Sequence, residues 1–262
     1  FVKLIKRTLT GHAARDAIQE LCDKATNEQW NDWYRRILIK DLRCGTGAKL
    51  INKVQADTIP LFGCMLAHDG AKHPKKITGE CYVEYKYDGA RYQIHFKRKI
   101  ETTVIIFNRK GKIVTDKFPD IVEEILSWKI NESFIIDTEI YPVESDGRPA
   151  PFKKMGTRIH SKNVKEAVEK CPVELAVFDC MMFNRENLMD NSLRERLPFI
   201  LKFPKQAVRA TEDDDAFYNR AINDGYEGIM IKDLNAPYES GKRSWIKYKP
   251  PRIELDVVVT GA

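Results

Sequence analysis

The residue with the clearest chemical potential in this 262-residue chain is Lys86. Asp88 follows it after two positions and Arg91 after five. An uncharged lysine amine attacks phosphorus or carbonyl carbon well, provided that burial or a nearby cation lowers its pKa. The Asp88-Gly89 pair is typical of a tight turn between strands. The stretch therefore predicts either a nucleophilic lysine at the mouth of a turn or a hairpin whose charged turn is simply solvated.

Both sides of this turn show the polar–apolar alternation of half-buried strands. Residues 80–85 alternate before the turn, and residues 91–97 alternate after it. The pattern therefore predicts a hairpin in which Lys86 ends the first strand.

Charged residues recur inside later segments that are otherwise apolar. Such charges are rarely buried without partners, and any single one could lie on the solvent face of a half-exposed strand. Their recurrence favours one cleft, in which lysines neutralise the phosphates of a nucleoside triphosphate and carboxylates hold Mg²⁺. The residues concerned are Glu139, Glu227, Lys232, Lys247 and Lys249.

Short motifs occur in a fixed order around these charges, at residues 86–91, 108–111, 137–139, 177–179, 193–197, 227–232 and 247–249. Their order and residue types resemble those of the ATP-dependent DNA ligases, within the covalent nucleotidyltransferase superfamily. The resemblance covers roughly residues 60–261. One departure is Thr138, where ligases usually have glycine, and it leaves Glu139 in register.

The resemblance implies a covalent mechanism that uses ATP and Mg²⁺. Lys86 would attack the α-phosphorus, expel pyrophosphate and carry AMP as a phosphoramidate. AMP would pass to the 5′-phosphate of a nick in duplex DNA, and the 3′-hydroxyl would then displace it.

The resemblance also implies roles for the other motif residues. Glu84 would recognise the adenine amino group, and Phe178 would stack on the adenine ring. Arg91 and Glu139 would hold the ribose, with Arg109 near the nick phosphate. Glu139 and Glu227 would support Mg²⁺, and the phosphate-neutralising lysines would be Lys232, Lys247 and Lys249.

The positive charge of the chain is concentrated in its leading part. Residues 1–78 hold 14 Lys and Arg against 8 Asp and Glu, whereas residues 79–262 hold 30 of each. This asymmetry favours a segment that grips a polyanion, with a chance asymmetry as the alternative. Arg43, Lys49 and Lys53 surround a glycine-containing loop that would contact the DNA backbone, unless it is a plain turn between helices.

The leading part is predicted to be helical. An amphipathic helix is expected over 12–25, and a second follows a capping box formed by Thr26 and Gln29. Trp30 and Trp33 are interpreted as core packing between these helices. The segment is similar to the end of a ligase DNA-binding domain of the compact kind in T-even-like phage ligases, best at 39–45.

The remainder predicts an α+β fold with largely antiparallel sheets flanked by helices. Residues 55–79 are interpreted as a linker or irregular approach. A hairpin turn is expected at 108–111, with helices at 119–126, 161–170, 193–201 and 213–223. Strands are expected at 134–141, 173–183, 226–232, 244–249 and 255–260.

Three domains are predicted, namely a helical DNA-binding segment (1–58), an adenylation domain (59–254) and the start of an OB domain (255–262). Phe1 in place of Met predicts that the chain is a fragment. The resemblance implies that most of the OB domain is missing, so the fragment is expected to adenylate itself poorly and to seal poorly.

The expected surroundings follow from composition. The six cysteines include no C-x-x-C pair, which favours free thiols in a reducing, intracellular compartment. No apolar run is long enough for a membrane span, and a monomer is expected. The alternatives left open are an RNA ligase, an mRNA-capping guanylyltransferase and a non-catalytic nick-binding module.

Overall fold

The computed structural model describes residues 1–5, 8–39, 45, 48–55, 63–73, 77, 79–98 and 101–251. Contacts divide the chain into two compact units, Phe1–Leu61 and Phe62–Ala262. Arg43 and the strand expected at 255–260 lie outside the described residues. None of the described helices combines the length and the apolar character that a membrane crossing requires.

The first unit is helical, as predicted. Its described helices are α1 (Val2–Ile5), α2 (Gly11–Lys24), α3 (Arg35–Ile39), which continues a π-helical segment at Gln29–Tyr34, and α4 (Ala48–Val54).

The predicted capping box in this unit is confirmed. The Gln29 N–H donates to the Thr26 hydroxyl at 3.2 Å, and the Thr26 N–H donates to the Gln29 side chain at 3.0 Å. Core packing is wrong for Trp33, which is 62% exposed. Neither α2 nor α3 carries a buried residue.

The second unit contains two sheets. In the four-stranded sheet, with order β1-β9-β8-β2, the strands are β1 (Leu66–Asp69), β2 (Cys81–Lys86), β8 (Gly228–Asp233) and β9 (Arg243–Tyr248). In the five-stranded sheet, with order β4-β3-β5-β6-β7, they are β3 (Ala90–Lys97), β4 (Thr103–Asn108), β5 (Phe134–Pro142), β6 (Val173–Phe183) and β7 (Glu186–Asn187).

The predicted α+β class with largely antiparallel sheets is confirmed. Every neighbouring pair of these strands is antiparallel except β1 and β9, which run parallel. Strand β1 lies in the stretch interpreted as irregular, so that part of the prediction is wrong.

The predicted hairpin at the Asp-Gly pair is also wrong. Strands β2 and β3 belong to different sheets, and the chain crosses between them at Asp88 and Gly89. A Cβ on Gly89 would lie 2.4 Å from the Ile140 carbonyl oxygen, so glycine is required by a close backbone approach. The Asp88 carboxylate accepts the Phe152 N–H at 3.1 Å and fixes the far side of the crossing. Lys86 therefore lies where the two sheets meet.

Helices cover the outer faces of both sheets. They are α5 (Pro119–Ser127), α6 (Met155–His160), α7 (Val164–Lys170), α8 (Leu193–Ile200) and α9 (Asp214–Asn223). Helices α5 and α8 pack on the five-stranded sheet, around a core that includes Ile94, Ile121 and Ile136. Helix α9 packs on the other sheet, where Phe217 stacks on Tyr85 with ring centroids 4.7 Å apart. Helix α6 was not predicted.

A segment at 205–210 is hydrogen-bonded to both sheets. The Ala207 N–H donates to the Val177 carbonyl of β6 at 2.8 Å. The Tyr85 N–H of β2 donates to the Val208 carbonyl at 2.9 Å. This segment fixes the spacing of the strands that carry Phe178 and Glu84, and so of the two walls of the cleft between the sheets.

Candidate active site

The inner face of the four-stranded sheet carries most of the charges singled out in the sequence. Directly opposed residues of neighbouring strands share a face. Glu84 lies opposite Met230, and Met230 lies opposite Lys247. Lys86 lies opposite Gly228, one step nearer the end of β2.

The mouth of the cleft holds a three-residue charged group, Lys86, Glu227 and Lys249. Lys86 Nζ donates to Glu227 Oε2, and Lys249 Nζ donates to Oε1 at 2.9 Å. The three side chains are 19%, 24% and 28% exposed, so water reaches all of them. Burial acts to raise the pKa of Glu227, but the hydrogen bonds and charges of the two lysines outweigh it, and the pKa is lowered.

Gly228 brings this mouth group together. Its φ is +145°, and a Cβ there would lie 2.0 Å from the Tyr248 carbonyl oxygen. Only glycine permits this approach of β8 to the end of β9, which leads directly into Lys249. The Glu227 N–H donates to the Lys86 carbonyl at 2.9 Å, which fixes both residues at the same level of the sheet.

Deeper in the cleft lies a second ion pair, between Lys232 and Glu84. Their Nζ and Oε1 atoms are 2.5 Å apart, and Lys232 also donates to the Phe178 carbonyl at 2.8 Å. Lys232 is fully buried and Glu84 is 3% exposed. The ammonium lies 4.9 Å from the Phe178 ring centroid and 4.5 Å from that of Trp245. Burial raises the pKa of Glu84 to about 7, against the opposing effect of Lys232.

Arg91 projects from β3 of the facing sheet, and its guanidinium is held by hydrogen bonds and by two aromatic rings. Its Nε donates to Asp137 Oδ1 at 2.9 Å, its Nη2 also contacts that carboxylate, and its Nη1 donates to the Met65 carbonyl. The guanidinium carbon lies 5.1 Å and 5.0 Å from the ring centroids of Phe178 and Trp245. The orientation of this arginine is therefore fixed by a bidentate pair and two aromatic rings.

Glu139 lies on β5 opposite Arg91. Burial raises the pKa of Glu139 to about 8, with Lys86 and Arg91 acting in the other direction. The neighbouring Thr138 is fully buried on the opposite face, where its hydroxyl donates to the Tyr92 carbonyl at 3.0 Å. The threonine that replaces the usual glycine therefore does not crowd the cleft.

Comparison with known proteins matches this arrangement to one family. The family model described as the ATP dependent DNA ligase domain matches residues 64–249. The chain belongs to the ATP-dependent DNA ligase family. It is 36% identical to a DNA ligase of Thermococcus fumicolans over 200 residues, which are 71% of this chain and 35% of that protein. It is 38% identical to a DNA ligase of Methanoculleus marisnigri over 196 residues, 70% of this chain and 34% of that one.

Solved structures share the fold of this ligase-family chain. A structure named Pmar-Lig_Pre has a TM-score of 0.71 and 32% identity, covering 95% of this chain and 61% of that one. Mycobacterial DNA ligase D, complexed with ATP and MES, has a TM-score of 0.57 at 20% identity and covers 72% of this chain and 60% of that one. The second likeness shows the fold alone. The chain spans about a third of the length of the curated ligases it matches.

The structure brings most of the predicted nucleotide-site residues of the ligase motifs onto the two facing sheets. Arg109 is exposed in the predicted turn after β4, where Gly111 has a φ of +73°. The predicted DNA contacts belong to the other unit. Lys53 is exposed and Lys49 lies in α4, while Arg43 is outside the described residues.

Several buried residues of the ligase motifs were not assigned a role from the sequence. Arg196 makes a bidentate pair with Asp179 at 2.8 Å and 3.0 Å, and both are buried. The pair ties α8 to β6 directly after Phe178. Asp137 carried the same signal that identified Glu139, a charge within an apolar strand, and could have been found in the same way.

Proposed function

We propose that the protein containing this chain seals nicks in duplex DNA through an AMP group carried on Lys86. The observation that supports this most strongly is the position of Lys86, at the open end of a cleft between two sheets. A lysine in this place is accessible to a nucleotide and lies beside a carboxylate and a second cation.

Lys86 would attack the α-phosphorus of ATP. A P–N bond forms, the P–O bond to the β-phosphate breaks, and pyrophosphate leaves with the bonding electrons. An ammonium has no free electron pair, so Nζ must first lose a proton and its pairing with Glu227 must change. Glu227 Oε2 accepts an N–H from Nζ, so this carboxylate is in direct contact with that proton.

Three lysines would stabilise the charge that develops on the phosphates. Lys249 lies at the mouth, Lys247 is half-buried on the inner face, and Lys232 lies deeper. Cations held in place before the reaction stabilise developing negative charge without reorganisation, which is the largest contribution in many transfer reactions.

The deep part of the cleft would bind the nucleoside. Glu84 would accept a hydrogen bond from the adenine amino group, and Phe178 would stack on the adenine ring. Arg91 and Glu139 would bind the ribose. The buried Glu84 carboxylate supports this role, and its partner Lys232 lies 4.9 Å from the Phe178 ring centroid. A polar group in a dry pocket discriminates strongly between partners.

Glu139 and Glu227 would hold Mg²⁺. Burial is the main cause of the raised pKa of Glu139, and Asp137 and Glu227 add smaller contributions as neighbouring negative charges, which a bound cation would offset. No cluster of three or more His, Cys, Asp or Glu side chains suited to a metal is found in the described part of the chain. A bound Mg²⁺ would supply charge neutralisation beside these two carboxylates.

The basic leading segment and Arg109 would contact the DNA backbone. Arg43, Lys49 and Lys53 are the proposed contacts of the helical unit, and exposure of Lys53 and Arg109 supports this. Phosphate contacts of this kind should make binding sequence-independent and sensitive to salt.

Sealing by the full-length protein tests the proposal. Nicked DNA with a 5′-phosphate should be sealed with ATP, whereas a 5′-hydroxyl nick or GTP should give no product. Sealing with GTP would instead favour a guanylyltransferase-like pocket. Exclusive use of nicked RNA would favour an RNA ligase. Nick binding without any product would favour the binding module.

A further inference from the structure

The hydroxyl of Tyr238 connects the two sheets beside the proposed nucleotide site. Tyr238 lies between β8 and β9, and only 3% of its surface is exposed. The hydroxyl donates to Asp137 Oδ2 at 2.5 Å. It accepts the Met65 N–H at 3.2 Å and an Arg91 Nη2–H at 3.2 Å.

These contacts use the full bonding capacity of the hydroxyl. A tyrosine hydroxyl has one proton to donate and oxygen lone pairs to accept with. The proton goes to Asp137, and the lone pairs accept from Met65 and Arg91. Since the site is buried, the Met65 N–H and one Arg91 Nη2–H would lose their partner if the hydroxyl were removed, and Asp137 would keep only its bonds from Arg91.

The same contacts determine what Arg91 can still bind. A guanidinium has five N–H groups. The Nε–H and one Nη2–H donate to Asp137, and the second Nη2–H donates to the Tyr238 hydroxyl. One Nη1–H donates to the Met65 carbonyl. Within the described residues, one Nη1–H has no partner and is left for a ligand, and the Arg91 side chain is 14% exposed.

We propose that Tyr238 is a positioning residue, whose hydroxyl holds Arg91 so that its remaining N–H is available to the bound nucleotide. The inference rests on the proposed function, because it needs a nucleotide beside Arg91. Without the hydroxyl, one Nη2–H would lack its partner in a buried site, and any shift of the guanidinium toward another acceptor would displace the remaining Nη1–H. The ring of Tyr238 has separate packing contacts, with its centroid 6.2 Å from that of Trp245, which phenylalanine would keep.

The test is the substitution Tyr238→Phe in the full-length protein, with AMP transfer to the protein measured against ATP concentration. We expect KM for ATP to rise about ten-fold, the size expected for one hydrogen bond, with the maximal rate constant of AMP transfer changed less than about two-fold. The matched control is Tyr85→Phe. Tyr85 is equally buried and also donates to a carboxylate, Asp224 at 3.0 Å, but on the outer face of its sheet. Its KM for ATP should be unchanged.

A double-mutant cycle separates positioning from general destabilisation. The dissociation constant for ATP is measured in the Lys86→Ala background, where binding is readable without transfer. Tyr238→Phe should weaken binding when Arg91 is present and have little further effect beside Arg91→Lys.

The inference is wrong if the unsubstituted protein accepts AMP but Tyr238→Phe leaves KM within two-fold. It is also wrong if Tyr85→Phe has the same effect, or if the Tyr238→Phe effect persists beside Arg91→Lys. An unsubstituted protein that accepts no AMP would instead overturn the proposed function.

Discussion

Two charged groups on one face of the four-stranded sheet are built from the same residue types and differ in their contact with water. The side chains of the deep pair, Glu84 and Lys232, are 4% and 1% exposed. The mouth group of Lys86, Glu227 and Lys249 is about a quarter exposed. The deep lysine also contacts the Phe178 carbonyl and two aromatic rings.

This difference separates two tasks along a single cleft. Breaking a buried ion pair leaves an uncompensated charge in a dry site, so the deep pair is held in one geometry. A solvated ion pair contributes little to stability and can exchange partners. The deep pair is therefore suited to recognition, and the mouth group to a reaction in which Lys86 must release Glu227.

The largest expected effect is on the deep pair. Measured above pH 7, where Glu84 is ionised, Lys232→Met should lower the free energy of unfolding by about 3 kcal/mol, because it leaves that carboxylate buried without a counter-ion. Denaturant unfolding measures this. The matched double variant, Glu84→Gln with Lys232→Met, should recover part of the loss, since a neutral amide needs no counter-ion. A loss below about 1 kcal/mol would mean that the deep pair behaves like a solvated one.

The carboxylates of Glu84 and Glu227 should also have opposite effects on how the free energy of unfolding depends on pH. The pKa of Glu84 is raised to about 7, so between about 4.5 and 7 the folded chain keeps a proton that the unfolded chain releases. Its contribution to stability is therefore lost as pH rises through that window, by on the order of 1 kcal/mol per pH unit. The pKa of Glu227 is lowered, so its contribution is lost as pH falls below 4.5.

Unfolding free energies of Glu84→Gln and Glu227→Gln across pH would test this contrast. Glu84→Gln should remove the decline toward neutral pH, and Glu227→Gln should remove part of the acid loss. Indistinguishable pH profiles for the two variants would refute the contrast.

The smallest effect on stability is expected at the mouth. Lys249→Gln should change the free energy of unfolding by less than about 1 kcal/mol, because its ion pair is solvated. The rate of AMP transfer to the protein should nevertheless fall at least about ten-fold, since a fixed cation near the phosphates is lost. Lys170→Gln, which breaks a surface pair with Glu166 in α7, is the control and should alter neither quantity. Equal rates of AMP transfer in the two variants would show that Lys249 does not stabilise the charge on the phosphates.

Local sequence patterns predicted the strands well but not their assignment to sheets. The period-two alternation located β3, and the apolar run at 173–183 matches the bounds of β6. The same alternation does not state which strand is the neighbour, so β2 and β3 were read as a hairpin although they lie in different sheets. Strand β1 has four residues and pairs with the distant β9, which leaves almost no local signal.

In the candidate site too, the residues could be predicted from the sequence but their partners could not. Charges inside apolar segments, such as Glu139 and Lys232, could be predicted because burying a charge requires a partner. The identity of that partner could not, because it depends on contacts far apart in the chain. Asp137 lies 46 positions from Arg91 and 101 from Tyr238. The network that orients Arg91 therefore became visible only in the structure.

The central claim is that Lys86 is the residue that carries AMP. The most direct measurement is the intact mass of the full-length protein after incubation with ATP and Mg²⁺, followed by mapping of the modified peptide. The account predicts a gain of one adenylyl group on Lys86 and no gain in Lys86→Ala. A gain that persists in Lys86→Ala, or one that maps to Lys232 or Lys249, would contradict it.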